Sequence, residues 1–136
     1  MTSPILSLRA AILARCGADA DLAALMGGTV RLHDEPPRAA EPVYAVFDEA
    51  EARDASVDLC RGHEQDCAIV VWAKPGSART ALEAAERLAA LLDDADLPLV
   101  GHHLVNLRVV SIACGRDDKT GLARATLRLR AVTEVA

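Results

Sequence analysis

Residues 66–93 decide the fold: Asp66-Cys67-Ala68-Ile69-Val70-Val71-Trp72, then Lys74-Pro75-Gly76-Ser77, then an alanine- and leucine-rich run to Asp93. The first segment is apolar at consecutive positions, as in a central strand with both faces buried. Proline and glycine punctuate. In the last segment Ala78, Leu82, Ala85, Leu88, Ala89 and Leu92 recur at helical spacing, while Arg79, Glu83, Glu86 and Arg87 fall off that stripe. Pro98 follows its end. A buried strand, a tight break and an amphipathic helix predict an α+β domain in which the helix covers one side of a sheet.

The flanks extend this pattern. Downstream, 104–112 reads as a strand, with Val105, Leu107 and Val109 set against Asn106 and Arg108. A polar turn occupies 115–121. The final strand, 122–132, alternates cleanly: Ala123, Ala125, Leu127, Leu129 and Ala131 on one face, Arg124, Thr126, Arg128 and Arg130 on the other. Upstream, Ser3-Pro4 is a helix start, a capping hydroxyl followed by proline at the first helical position. Ile5, Leu8, Ile12 and Leu13 follow on one face, and Gly17 can close that helix. A short helix over 19–26 carries Leu22 and Leu25 and ends at Gly27-Gly28. Residues 30–33 suit a short strand, and 34–42 a loop broken by Pro36-Pro37 and Pro42. Val43-Tyr44-Ala45-Val46-Phe47 is a β-rich run that decays into acidic residues, and 56–65 reads as a turn or ragged continuation. The order is α, α, β, β, β, α, β, β. Short connections between successive strands predict a mainly antiparallel (mixed) sheet with helices packed on one face. One domain over 1–136 suffices for 136 residues.

Composition narrows the function. The net charge of −5 argues against general affinity for a DNA backbone, which needs clustered Lys and Arg. A single Trp, Tyr and Phe are too few for base-stacking recognition of single strands. No apolar stretch reaches the roughly 18 residues of a membrane span, and Met1-Thr2-Ser3-Pro4 lacks the features of a secretory signal. Reduced thiols are therefore expected for Cys16, Cys60, Cys67 and Cys114.

No constellation suggests catalysis. Cys60, His63 and Cys67 could ligate zinc, but a structural site needs a fourth ligand, and Cys67 sits in an apolar strand as a small hydrophobe. His102 and His103 are adjacent and would point to opposite faces of a strand. Asp48, Glu49, Glu51, Asp54 and Asp58 lack the glycine-centred spacing of a calcium loop and suit a solvated edge. The arginine row Arg124, Arg128 and Arg130, with Arg108 on the neighbouring strand, is different. Like charges this close repel unless something acidic meets them. This row and Trp72 are candidate subunit contacts, with Asp48, Glu49, Glu51 and Asp54 as the complementary acidic patch.

A resemblance draws these residues together. The opening Ser3-Pro4-Ile5-Leu6-Ser7-Leu8-Arg9-Ala10-Ala11-Ile12-Leu13, then Asp21-Leu22-Ala23-Ala24-Leu25-Met26-Gly27-Gly28, a Val70-Val71-Trp72 strand before an alanine-rich helix, Leu97-Pro98-Leu99-Val100-Gly101-His102, and an arginine-alternating strand ending in Ala131-Val132-Thr133-Glu134 together resemble the tail-terminator (tail-completion) proteins of long-tailed phages and gene transfer agents. Where the family tends to have an Asp-Gly turn before the last strand, this chain has Asp117-Asp118-Lys119-Thr120-Gly121. The resemblance implies a tail-terminator-like fold and a homo-oligomeric ring of six copies that caps the tail tube, stops its polymerisation and joins it to the head-side connector. It implies no catalytic residue and no cofactor. Double-stranded DNA would pass through the lumen without specific binding, which a net negative charge favours. The location implied is the head-proximal end of the tail in a virion-like particle assembled in the bacterial cytoplasm. The competing readings are a head-tail connector (stopper or adaptor) subunit, a small cytosolic enzyme or ligand-binding module, and a zinc-stabilised cytosolic binding module.

Overall fold

The computed structural model describes residues 2–36, 38 and 41–136. The eight elements follow the expected order: α1 (Pro4–Gly17), α2 (Ala20–Leu25), β1 (Leu32–His33), β2 (Tyr44–Asp54), β3 (Gly62–Ala73), α3 (Ala78–Leu92), β4 (His102–Arg116) and β5 (Ala123–Val135). The loop expected over 34–42 includes Pro37, Ala39 and Ala40, which lie outside the described residues, as does Met1 of the expected domain. The five strands form one sheet in the order β1-β2-β3-β5-β4. Among the described residues only β1 and β2 pair in parallel; β2, β3, β5 and β4 are successively antiparallel. The fold is α+β. No helix among the described residues is long and apolar enough to cross a membrane.

Local chemistry starts each helix. The Ser3 hydroxyl accepts from the Leu6 amide at 3.2 Å, and Pro4 occupies the first turn. Asp19 does the same for α2, accepting from the Leu22 amide at 2.9 Å. Its carboxylate also takes two hydrogen bonds from Arg87 of α3, at 2.8 and 2.7 Å, which ties the short helix to the long one.

The helices cover the inner face of the sheet. Ile69 and Val71 of β3, Leu127 and Leu129 of β5 and Leu107 of β4 meet Leu8, Ile12, Leu88 and Leu92 there. Ala81, Ala84 and Ala85 on α3 and Ala123, Ala125 and Ala131 on β5 are all buried. With methyl groups on both sides the helix and sheet come close together, so a core with few aromatic rings still fills its space. Cys16 is fully buried in this layer, and burial pushes its thiol up to about 12.

Three elements differ from expectation. The buried stripe of α3 is Ala81, Ala84, Ala85, Leu88, Leu91 and Leu92, while Ala78 is exposed and Leu82 and Ala89 are half-buried. Alanine and leucine occupy so much of the circumference that periodicity leaves the rotational phase open. Second, β3 begins at Gly62: of the two readings of 56–65, the strand continuation holds for 62–65, which pairs with 52–54 and 131–134, and the turn lies before it. Its polar residues alternate correctly for a strand with one solvated face. Third, β4 has irregularities between Leu104 and Asn106 and between Val109 and Ser111. The first turns Val105 out to solvent, off the face shared by Leu107 and Val109.

Candidate subunit interface

The outer face of the sheet has no helix over it among the described residues. Strand alternation places Arg124, Thr126, Arg128 and Arg130 on this face of β5, because Ala123, Ala125, Leu127, Leu129 and Ala131 take the inner one. Register completes the neighbourhood. Arg108 lies directly across from Arg130, Trp72 lies across from Arg124, and Tyr44 lies across from Trp72. Val46, Ala68 and Val70 are buried on this helix-free side. Arg128 lies directly opposite Ala68 in register.

Charge on this face is sorted. Arg53, which sequence reasoning had not singled out, contacts Asp66 at 2.6 Å, Glu64 at 3.3 Å and Glu51 at 3.4 Å. Arg130 contacts Asp66 at 3.0 Å and Glu64 at 3.7 Å. The two guanidinium groups, Arg53 foremost, hold the Asp66 carboxyl below the usual carboxylate range. Arg130 is thus neutralised within its own chain. Arg108, Arg124 and Arg128 form no ion pair among the described residues. The signal for Arg53 was present in the sequence: with 51 and 53 facing 66 and 64 across a hairpin, acid and arginine must meet.

The acidic candidates divide. Asp48 and Glu49 sit at the irregularity of β2 between Phe47 and Ala50, exposed. Arg9 of α1 donates to the Asp48 carbonyl at 3.0 Å and lies 5.1 Å above the Phe47 ring. Glu51 is on the outer face within the Arg53 cluster. Asp54 closes the hairpin: its carboxylate accepts from the Ser56 hydroxyl at 2.6 Å and the Ser56 amide at 3.1 Å, and both bonds lower its pKa. In one register row, Glu51, Asp66, Arg130 and Arg108 cross the sheet from the acidic margin to the basic one.

The zinc candidates are not assembled. Cys60 lies in the hairpin turn, bridged to Val57, while His63 and Cys67 belong to β3. Residues four apart on a strand are about 13 Å apart. Among the described residues no group of three candidate metal ligands comes together. Burial pushes the Cys67 thiol up to about 11. His63 is instead next to His102, with ring centroids 6.4 Å apart, and His102 Nε2 lies 2.9 Å from the Thr2 carbonyl. His102 and His103 both belong to β4, one buried and one exposed, as adjacent strand residues should be.

A further surface was not foreseen. Val57 and Leu59 in the β2–β3 turn, Val135, Val100 and Leu6 are all exposed. Hydrogen bonds join their segments at one end of the sheet: Val135 N to Arg61 O at 2.8 Å, Ala136 N to Gly101 O at 3.1 Å, and Ser7 Oγ to Val100 O at 2.8 Å. Leu59 is entirely exposed, at 103%. The opposite end carries Lys74, Arg116, Asp118 and Lys119 instead. These exposed aliphatic residues lie on segments that the fold brings to one end of the sheet.

The model of the family described as tail completion protein gp17 matches residues 10–134. No curated protein matches the chain. Among solved structures, a chain of the virion of a native gene transfer agent particle is 31% identical, with a TM-score of 0.87 over 98% of this chain and 99% of that one. A second solved chain, 21% identical over 99% of this chain and 97% of its own, has a TM-score of 0.51 and shows a likeness of fold alone.

Proposed function

We propose, since this chain belongs to the tail completion protein gp17 family, that it is a structural subunit of a phage-like particle and acts as its tail terminator. The observation that carries the reading is the relative in the gene transfer agent virion, similar over nearly the whole of both chains. In this reading the protein acts as one domain. Six copies form a ring on the finished tail tube, stop its growth and present a surface to the head-side connector, while double-stranded DNA passes through the lumen without specific binding. Its place is the head-proximal end of the tail, in a particle put together in the bacterial cytoplasm.

The surface chemistry supports an assembling subunit. A closed ring needs two different patches that fit each other. Arg108, Arg124 and Arg128 leave positive charge unanswered on one part of the sheet, with Trp72 beside them, and Asp48, Glu49, Glu51 and Asp54 lie along the β2 side. We assign these eight residues, with Arg130, to contacts between copies. The exposed aliphatic end around Leu59 suits an axial contact, and we assign it to the tube protein.

The test is the position of this chain in purified particles, by cryo-electron microscopy at side-chain resolution. A ring of it at the head-proximal end of the tube is expected. A place inside the head portal would overturn the terminator reading in favour of a connector subunit. Absence from particles would overturn any virion role.

A further inference from the structure

The sheet has two open edges, and they are unlike each other. On one side β1 covers only Ala45 and Val46 of β2, so, among the described residues, 47–54 have no strand beyond them. On the other side β4, 15 residues long, has β5 on one flank only. The chain caps part of that edge itself. The Leu107 carbonyl accepts from the Asp94 amide at 2.8 Å, and the Val109 amide donates to Asp93 Oδ1 at 2.9 Å. Beyond the irregularity at Val110 the capping stops, and residues 110–116 meet no further partner on that flank among the described residues.

Between the irregularity at Val110 and the charge of Arg116, this uncapped stretch lacks the usual protection. Open edges are blunted by charge, by proline, or by a covering element. Val110-Ser111-Ile112-Ala113-Cys114-Gly115 has neither charge nor proline. Val110 and Cys114 are exposed. An edge left in this state is a template for another strand.

Direction and charge identify that strand. Three successive antiparallel pairings make β2 and β4 antiparallel to each other. Copies that point the same way around an axis therefore bring β4 of one against β2 of the next in antiparallel register. The charges agree: β2 has Asp48, Glu49, Glu51 and Asp54 against one arginine in its open stretch, whereas β4 has Arg108 and Arg116 and no acid. Pairing β4 with β4 of a second copy would bring basic edges together and stop at a dimer, because such a contact uses one patch twice.

We propose that the open edge of β4 in one copy pairs with the acidic open edge of β2 in the next, so that the sheet continues from subunit to subunit. Arg108, without an ion pair among the described residues, then meets the neighbour's acids. This inference rests on the ring reading given above and adds the elements that close the ring.

Thiol cross-linking on assembled particles tests it. Cys114 lies on the β4 edge; Cys60, the other exposed cysteine, is removed as Cys60→Ser, and the two remaining thiols are raised by burial to about 12 and about 11 and react slowly. Glu49→Cys in that background, treated with a short bis-maleimide, should give a ladder of covalent oligomers, while Cys60→Ser alone gives none. Rings visible by electron microscopy without a ladder overturn the edge pairing and leave the ring intact. Dimers from Cys60→Ser alone would point to β4 against β4 and overturn it too. If particles hold no ring of this chain, the terminator reading itself fails. Charge reversal is the second measurement. Arg108→Glu and Glu49→Arg should each cut ring occupancy at least tenfold, and their combination should restore it; a combination no better than either single change overturns the proposal.

Discussion

Leu59 offers the sharpest separation of folding from function. It stands entirely exposed at the tip of the β2–β3 turn, so Leu59→Ser removes no contact within the chain. Surface changes of this kind shift stability by about 0.5 kcal/mol or less. If the aliphatic end seats on the tube protein, a leucine that goes from full exposure to burial contributes about 1.5–3 kcal/mol per copy. At about 1.4 kcal/mol per tenfold, its loss weakens each contact roughly 10- to 150-fold. The assay is a titration of purified protein against growing tail tubes, with tube length measured by negative-stain electron microscopy. The concentration that halves mean tube length should rise by at least tenfold for Leu59→Ser, with an unchanged thermal midpoint. Lys119→Ser, at the opposite and charged end, is the control and should leave the titration where it was. A Leu59→Ser protein that caps within threefold of the native concentration would refute the assignment of this end to the tube.

Three further outcomes follow from the fold itself. Gln65 Nε2 donates to the Thr133 hydroxyl at 3.0 Å, both residues being buried. Thr133→Val should therefore cost about 1–3 kcal/mol by orphaning the amide, or about 4–12 °C in a thermal melt. Gln65→Leu with Thr133→Val should recover most of that loss, and a double variant less stable than the single would contradict the account. Asp19, hydrogen-bonded by Arg87 and by the Leu22 amide, has its pKa lowered from 3.8 to about 2. A depressed carboxylate stabilises above its unfolded pKa and loses that effect as pH falls toward the folded one. Urea midpoints of the native protein should thus decline between pH 4 and 2 more steeply than those of Asp19→Asn, and parallel curves would refute the linkage. Gly101 has φ +75° and a missing Cβ that would lie 2.8 Å from Thr2 Oγ1. Gly101→Ala should lower stability by about 1–2 kcal/mol from the left-handed backbone alone, read by chemical denaturation.

What could be read from the residues was whatever depends on local pattern. The eight elements and their order follow from caps, breakers and periodicity, and the two faces of β5 follow from strict alternation of alanine or leucine with arginine and threonine. The failures share a physical cause: each needed the position of a second element. The phase of α3 is set by the sheet it lies on, since alanine at 78, 81, 84, 85 and 89 offers the helix several apolar sides. The start of β3 is set by pairing with β2 and β5, since Gly-His-Glu-Gln-Asp carries little β-propensity of its own. The exposure of Val105 follows from a shift in register that only the partner strand reveals.

The arginine row shows how tertiary structure divides what sequence treats as one feature. Repulsion along β5 demanded acids, and a neighbouring copy was the obvious source. The hairpin of β2 and β3 supplies some of them from within: Asp66 and Glu64 answer Arg130, and Arg53 is held in the same cluster. Arg130 therefore helps to fix the hairpin that carries Leu59, and its contribution is modest because the cluster is half-exposed. The charge left over lies toward β4, on Arg108 and Arg128, while the acid left over lies toward β2, on Asp48 and Glu49. A subunit that neutralised its face completely would have no electrical preference for its neighbour's orientation. One with acid at one margin and arginine at the other favours a head-to-tail contact over a head-to-head one, because like margins repel. The same internal pairing that stabilises the hairpin thus leaves the two ends of the row unequal, and in the proposed ring that inequality sets the direction.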